Sequence, residues 1–130
     1  MRFSYLEITS QISRPIIPLI IRNQKTVILY SGLIDSGADY CVFSFEIAQQ
    51  LGITATESNR IGFFGAGKER IEGFIGRIDL RIGDKDYSTE VIFADISDFG
   101  HGILGHKGFF DHFDVNLKYQ DQVIELRENS

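Results

Sequence analysis

Cysteine is almost missing from this chain, and its scarcity excludes one way of holding a small protein together. A single cysteine, Cys41, among 130 residues leaves no intramolecular disulfide to form, and a reducing compartment such as the cytoplasm is the expected one. Long hydrophobic runs are missing too. The run from Ile16 to Ile21 is broken by Pro18 and ends at Arg22, well short of the roughly 20 residues a membrane helix needs. The segment Met1-Arg2-Phe3-Ser4-Tyr5-Leu6-Glu7 lacks the uninterrupted apolar stretch of a secretory signal, so no membrane association is expected. Positive charge is in deficit. Lys and Arg number 13 against 18 Asp and Glu, for a net charge of −5 without any basic cluster, which argues against a nucleic-acid partner.

What is present suits a packed β-protein. A hydrophobic content of 43% with 11 Phe is ample for a core and excludes disorder. The length fits one domain, residues 1–130, with no linker inside it. Ile16 to Ile21 and Thr26 to Tyr30 flank Arg22-Asn23-Gln24-Lys25 as a hairpin, and Pro15 and Pro18 push its first strand towards a sheet edge. Ser44 as N-cap, the helix formers Glu46 to Leu51 and a stop at Gly52 predict one short helix. Ile61 to Phe64 and Ile71 onward are strands around a turn at Gly65 and Gly67. Alternation through Phe74, Ile78, Leu80 and Ile82 turns at Gly83 to Asp86 and returns from Tyr87 to Phe93. After Gly102-Ile103-Leu104-Gly105, a second helical turn is expected over Lys107 to Phe113. Strands at Asp114 to Tyr119 and Gln122 to Leu126 close the chain.

The stretch Leu33-Ile34-Asp35-Ser36-Gly37-Ala38-Asp39 carries the most chemical information. An apolar strand releases a carboxylate straight into a Gly-containing turn. Burying a carboxylate there is costly unless it has a partner, and Gly37 lets backbone approach backbone. Asp-Ser-Gly is also an ordinary turn, and by itself the tripeptide is compatible with a residue that does no chemistry. Among other candidates, His101, His106 and His112 with Asp111 lack the spacing and ligand types of a metal site, so no metal is expected. Gly65-Ala66-Gly67-Lys68 lacks the spacing of a phosphate-binding loop. Cys41 has no nucleophile motif around it and suits a small buried apolar residue.

Residues 35–38 resemble the Asp-Thr/Ser-Gly-Ala loop of the aspartic peptidases, and the chain length points to their retropepsin-like branch. Two further segments follow in the family's order. Phe63-Phe64-Gly65-Ala66-Gly67 is similar to its flap, and Ile103-Leu104-Gly105 to the apolar-apolar-Gly strand beneath its catalytic loop. The resemblance, from about Arg14 to Leu126, implies a mainly β fold: a closed acid-protease barrel with one or two short helices, acting as a homodimer. It implies an aspartic endopeptidase without a cofactor, taking a peptide or protein substrate. Two carboxylates must share one proton to activate water. The chain offers one Asp in such a loop, so Asp35 would meet Asp35 of a second copy across a two-fold axis. Ser36 and Gly37 would organise the loop. Ala38, Asp39 and the Phe63 to Gly67 hairpin would contact substrate, and Ile103, Leu104, Gly105 and His106 would support the site. His106 stands where retroviral members carry an Arg that pairs with the residue at Asp39, so a His106–Asp39 pair is expected. Two alternatives remain open: a non-catalytic dimeric module that binds peptides, and a monomer whose catalytic partner is a different chain.

Overall fold

A computed structural model describes residues 1–64 and 69–129. Strand formation follows the apolar alternation. β1 (Arg2–Ser4), β2 (Leu6–Glu7) and β3 (Ser13–Arg14) are short. β4 (Ile16–Asn23) and β5 (Thr26–Ile34) form the expected hairpin around Gln24 and Lys25, with Gln24 in the left-handed region at φ 55°. β6 (Val42–Ser44) leads into α1 (Phe45–Leu51), which stops where Gly52 turns left-handed at φ 73°. β7 (Arg60–Phe64), β8 (Arg70–Ile82) and β9 (Lys85–Ala94) follow, then β10 (Gly102–Leu104), β11 (Phe113–Lys118) and β12 (Val123–Glu128).

Strands β4-β5-β10-β6-β9-β8 are hydrogen-bonded in that order, and β8 pairs back onto β4, closing a six-stranded barrel with β7 appended to β8. Closure pairs β4 on both sides only from Ile20 to Arg22, so its first half keeps the edge character expected from the prolines. Pro18 faces Ser31 of β5, while pairing with β8 begins two residues later at Ile20. The missing donor therefore falls where β4 has only one neighbour. A separate three-stranded sheet, β1-β12-β11, packs Phe113, Ile124 and Leu126 into the main core.

Alternation sorts side chains into two clusters. Phe43, Phe93 and Leu104 join Ile17, Leu19, Ile21, Phe109 and Phe113 in the main core. Their strand neighbours Val42, Ile92 and Ile103 face the other way and pack with Ile61, Phe63 and Ile75 beneath the β7–β8 hairpin.

The helical turn expected over Lys107 to Phe113 does not form as a helix. Lys107 is held in a bridge to Tyr40, Gly108 has φ 100°, and a run of turns carries Phe109 into the core. A residue fixed to a neighbouring segment and a positive φ in the first turn both prevent helical propagation.

Candidate active site

The chain leaves β5 at Ile34, arcs through residues 35–41 and returns as β6, with β10 inserted between the two strands. Residues 35–41 therefore form an arch over the end of β10. Its base is fixed by two main-chain bonds: Ile34 N–H donates to the Pro15 carbonyl at 2.9 Å, and Asp35 N–H to the Leu104 carbonyl at 3.0 Å. At the crown, Gly37 N–H donates to Asp35 Oδ1 at 2.9 Å and Ala38 N–H to the Asp35 carbonyl at 3.2 Å. These bonds aim a half-buried carboxylate out of the barrel. Among the described residues Asp35 Oδ2 has no hydrogen-bond partner, and neither has the Ser36 hydroxyl.

The far side of the arch is stitched to the segment after β10. His106 N–H donates to the Ala38 carbonyl at 2.9 Å, Lys107 N–H to the Asp39 carbonyl at 3.0 Å, and Cys41 N–H to the Lys107 carbonyl at 3.2 Å. The arch descends so closely that a Cβ on Gly105 would stand 2.6 Å from the Ala38 carbonyl oxygen and closer still to that of Tyr40. Ile103, Leu104 and Gly105 thus lie directly under the Asp35 loop.

The expected His106–Asp39 pair is not formed. His106 Nε2 instead lies 2.5 Å from the Ser36 carbonyl, with the ring edge-on to Phe110. A carbonyl only accepts, so Nε2 carries the proton. The ring braces the crown of the arch, and the main chain of Lys107 holds Asp39.

Ala38 is half-buried and Asp39 exposed. Phe63 packs on the cluster with Val42, Ile92 and Ile103, whereas Phe64 is 71% exposed. The expected contact residues Gly65, Ala66 and Gly67 lie outside the described residues. The apolar cluster therefore supplies a wall beside the Asp35 arch, under a hairpin that carries one exposed aromatic.

Tyr40 and Lys107 are two residues that no sequence motif singled out. Lys107 Nζ sits 5.2 Å from the Tyr40 ring centre, and both line a cleft of about 540 Å³ with Ile61, Ile75 and Arg77. The signal was their position, each one or two residues beyond a motif residue. Behind the arch Cys41 is fully buried, and burial pushes its thiol up to about 12. Burial likewise raises Tyr87, whose hydroxyl donates to the Gly108 carbonyl at 2.8 Å. The three histidines are dispersed. His101 Nδ1 meets the Gly102 carbonyl and His112 lies tilted against the Tyr87 ring, 4.1 Å between centres. Among the described residues no three His, Cys, Asp or Glu side chains are grouped to hold a metal ion.

Comparison with known proteins agrees with this geometry. The model of a family described as aspartyl protease matches residues 17–107, well over half of the chain. No curated protein sequence matches it. Among solved structures, the chain is similar to EIAV protease in complex with the inhibitor HBY-793, with a TM-score of 0.57 at 22% identity, covering 77% of this chain and 88% of that one. It is also similar to a retropepsin-like aspartic protease from Rickettsia conorii, with a TM-score of 0.60 at 14% identity, covering 95% and 86%. At these identities the likeness is one of fold, and the barrel is retropepsin-like.

Proposed function

From a chain that belongs to the aspartyl protease family, we propose an aspartic endopeptidase that works as a homodimer, with Asp35 of two copies forming the reactive pair. The observation that carries the reading is the Asp35 arch. One carboxylate oxygen is fixed by Gly37 N–H, the other has no hydrogen-bond partner among the described residues, and the main chain is anchored on β10. Two such carboxylates facing each other cannot both ionise comfortably, so the pair holds one proton and titrates as a unit. The ionised member takes a proton from water as the water oxygen attacks the substrate carbonyl carbon. The protonated member gives its proton to the carbonyl oxygen. Collapse of the resulting diol breaks the C–N bond, with one proton delivered to the leaving nitrogen. The products are an acid and an amine, and the pair returns to its starting state.

Ser36, Gly37, Ala38 and Asp39 take the roles of shaping the loop and meeting the substrate main chain. Phe63, Phe64 and the segment 65–67 take the role of a lid. Ile103, Leu104, Gly105 and His106 support the arch from below. The half-buried Ile61, Ile75 and Ile103 at the margin of the apolar cluster favour apolar side chains in the substrate. Residues 1–130 are taken as one domain, because β1 and β12 share a sheet. Among the described residues no helix is long and apolar enough to cross a membrane. A lone, protonated Cys41 suits a reducing compartment such as the cytoplasm.

A diverse peptide library incubated from about pH 4 to 7, with wild type and Asp35→Asn side by side, tests the proposal by mass spectrometry. Cuts made by wild type alone are expected. Folded, dimeric wild type that cuts nothing would overturn the enzyme and leave a peptide-binding module.

A further inference from the structure

We propose that the cleft between Tyr40, Lys107 and the base of the β7–β8 hairpin is a subsite for an acidic side chain of the substrate, with the Lys107 ammonium as its anchor. The inference rests on the reading of the Asp35 arch as the place where a peptide lies; the selectivity is read from the cleft itself.

Position ties the cleft to the arch. Tyr40 directly follows Asp39 on the descending limb, and Lys107 is bridged to it. Lys107 N–H donates to the Asp39 carbonyl at 3.0 Å and Cys41 N–H to the Lys107 carbonyl at 3.2 Å, so this wall moves only together with the loop that carries Asp35. The cleft is also lined by Ile61 of β7 and Ile75 of β8. Both are half-buried and pack on the apolar cluster under the hairpin. A peptide lying along Ala38 and Asp39 beneath that hairpin therefore passes the mouth of the cleft. Side chains of an extended peptide alternate in direction, so one of them turns into a space of about 540 Å³.

Charge names the occupant. The charged groups lining the cleft are Arg77, Glu90, Lys107 and Asp111. Arg77 and Glu90 are direct partners in the β8–β9 ladder, so opposite charges stand side by side and offset each other. Asp111 is committed to its own turn: Oδ1 accepts Gly108 N–H at 3.0 Å and lies 3.6 Å from His112 Nε2. The hydroxyls are engaged as well, Ser88 donating to Asp79 and Thr89 to the Glu90 carbonyl.

Lys107 is what remains. Among the described residues its ammonium is in no ion pair, and it lies over the neutral Tyr40 ring, 5.2 Å from the centre. A lysine stem ordinarily loses much rotamer freedom when its end is bound. One already laid over an aromatic face loses less. The cleft thus offers apolar walls for the methylene groups of a side chain and a preorganised cation for its end. Glutamate has that build, and a lysine or arginine in its place would meet like charge.

The test is peptide binding by the Asp35→Asn chain, read by fluorescence anisotropy so that no cleavage is needed. The probes are labelled, extended apolar peptides in which a single Glu, Gln or Lys is moved along the sequence. At one position set back from the centre, the Glu peptide is expected to bind about fivefold more tightly than the Gln peptide. The Lys peptide binds more weakly still, and the differences shrink in about 0.5 M salt. Lys107→Met is expected to abolish the preference, Lys107→Glu to invert it and Lys107→Arg to keep it. Lys25→Met, the same change of charge at the β4–β5 turn, leaves it as it is. Circular dichroism checks that each variant folds; should Lys107→Met not fold, the Glu and Arg variants decide. No binding of any peptide, equal binding of Glu, Gln and Lys at every position, a preference that survives Lys107→Glu, or one lost in Lys25→Met would each overturn the proposal. Binding is read apart from chemistry. An acid-selective protein whose wild type cuts nothing sinks the enzyme reading and leaves this one standing; a wild type that cuts peptides without regard to acids does the reverse.

Discussion

A carboxylate does no work unless something fixes where it points, and at Asp35 that something is one N–H. Gly37 donates to Oδ1, which leaves Oδ2 for a proton, a water or a second carboxylate. Asn in place of Asp keeps an Oδ1 acceptor of the same shape, so Asp35→Asn is expected to fold as wild type does while peptide cleavage falls by about 10²- to 10⁴-fold. Rates from purified variants, with thermal melts alongside, check both halves; equal rates would remove Asp35 from the chemistry. Gly105 is the complementary case, a residue that matters for what it lacks. A Cβ there meets the carbonyl oxygens of Ala38 and Tyr40, and main chain cannot swing aside as a side chain can. Gly105→Ala must lift the arch and stretch the His106–Ala38 and Lys107–Asp39 bonds. We expect a loss of about 3 kcal/mol in urea unfolding, and cleavage reduced beyond what the lost stability explains. Ordinary stability in that variant would mean the arch is looser than its geometry implies.

Elements carry the next level, and β10 shows how much depends on where a strand is inserted. Three residues, Gly102–Leu104, lie parallel to β5 and antiparallel to β6, and that insertion turns an ordinary strand connection into an arch with a floor. The order of the motifs was legible in the sequence because Asp35-Ser36-Gly37 and Ile103-Leu104-Gly105 keep local signatures, an acid or a glycine at the end of an apolar run. The barrel's closure was not, since the β4–β8 pairing joins Ile21 to Leu80 and no local pattern reports a contact so far along the chain. The helical turn expected after Gly105 failed for the same reason: the Tyr40–Lys107 bridge is tertiary. Likewise the partner of His106 was set by the main-chain group that the folded arch brings to its ring, the Ser36 carbonyl. The β7–β8 hairpin supplies a test at this scale. Phe63 is committed to the apolar cluster, but Phe64 stands free on the same strand. If the hairpin closes over substrate, Phe64→Ser is expected to lower kcat/KM about tenfold or more with an unchanged melting temperature. No kinetic change would place the side chain outside the lid's working face.

At the scale of the whole molecule, the arch is bound to the core through groups that must stay neutral. Cys41 closes the arch at its inner end and is fully buried, its thiol moved by burial from 9.0 to about 12. Tyr87 is raised above 10.0, again chiefly by burial, and its hydroxyl holds the Gly108 carbonyl in the segment that stitches the arch. Both groups keep their protons in the folded chain at a pH where the unfolded chain has released them. Their contribution is therefore complete below pH 9 and declines as pH rises, first through Cys41 and then, above pH 10, through Tyr87 as well. The slope is at most about 1.4 kcal/mol per pH unit for each group. Urea unfolding from about pH 7 to 11 should show a plateau that bends downward near pH 9. Cys41→Ala should move the bend to higher pH. Tyr87→Phe should flatten the steepest part, at a cost of about 1 kcal/mol at neutral pH because the Gly108 carbonyl loses its donor. Cleavage should be lost at lower pH than this decline, because the reactive pair must keep one proton to work, so the alkaline loss of stability is read by unfolding alone.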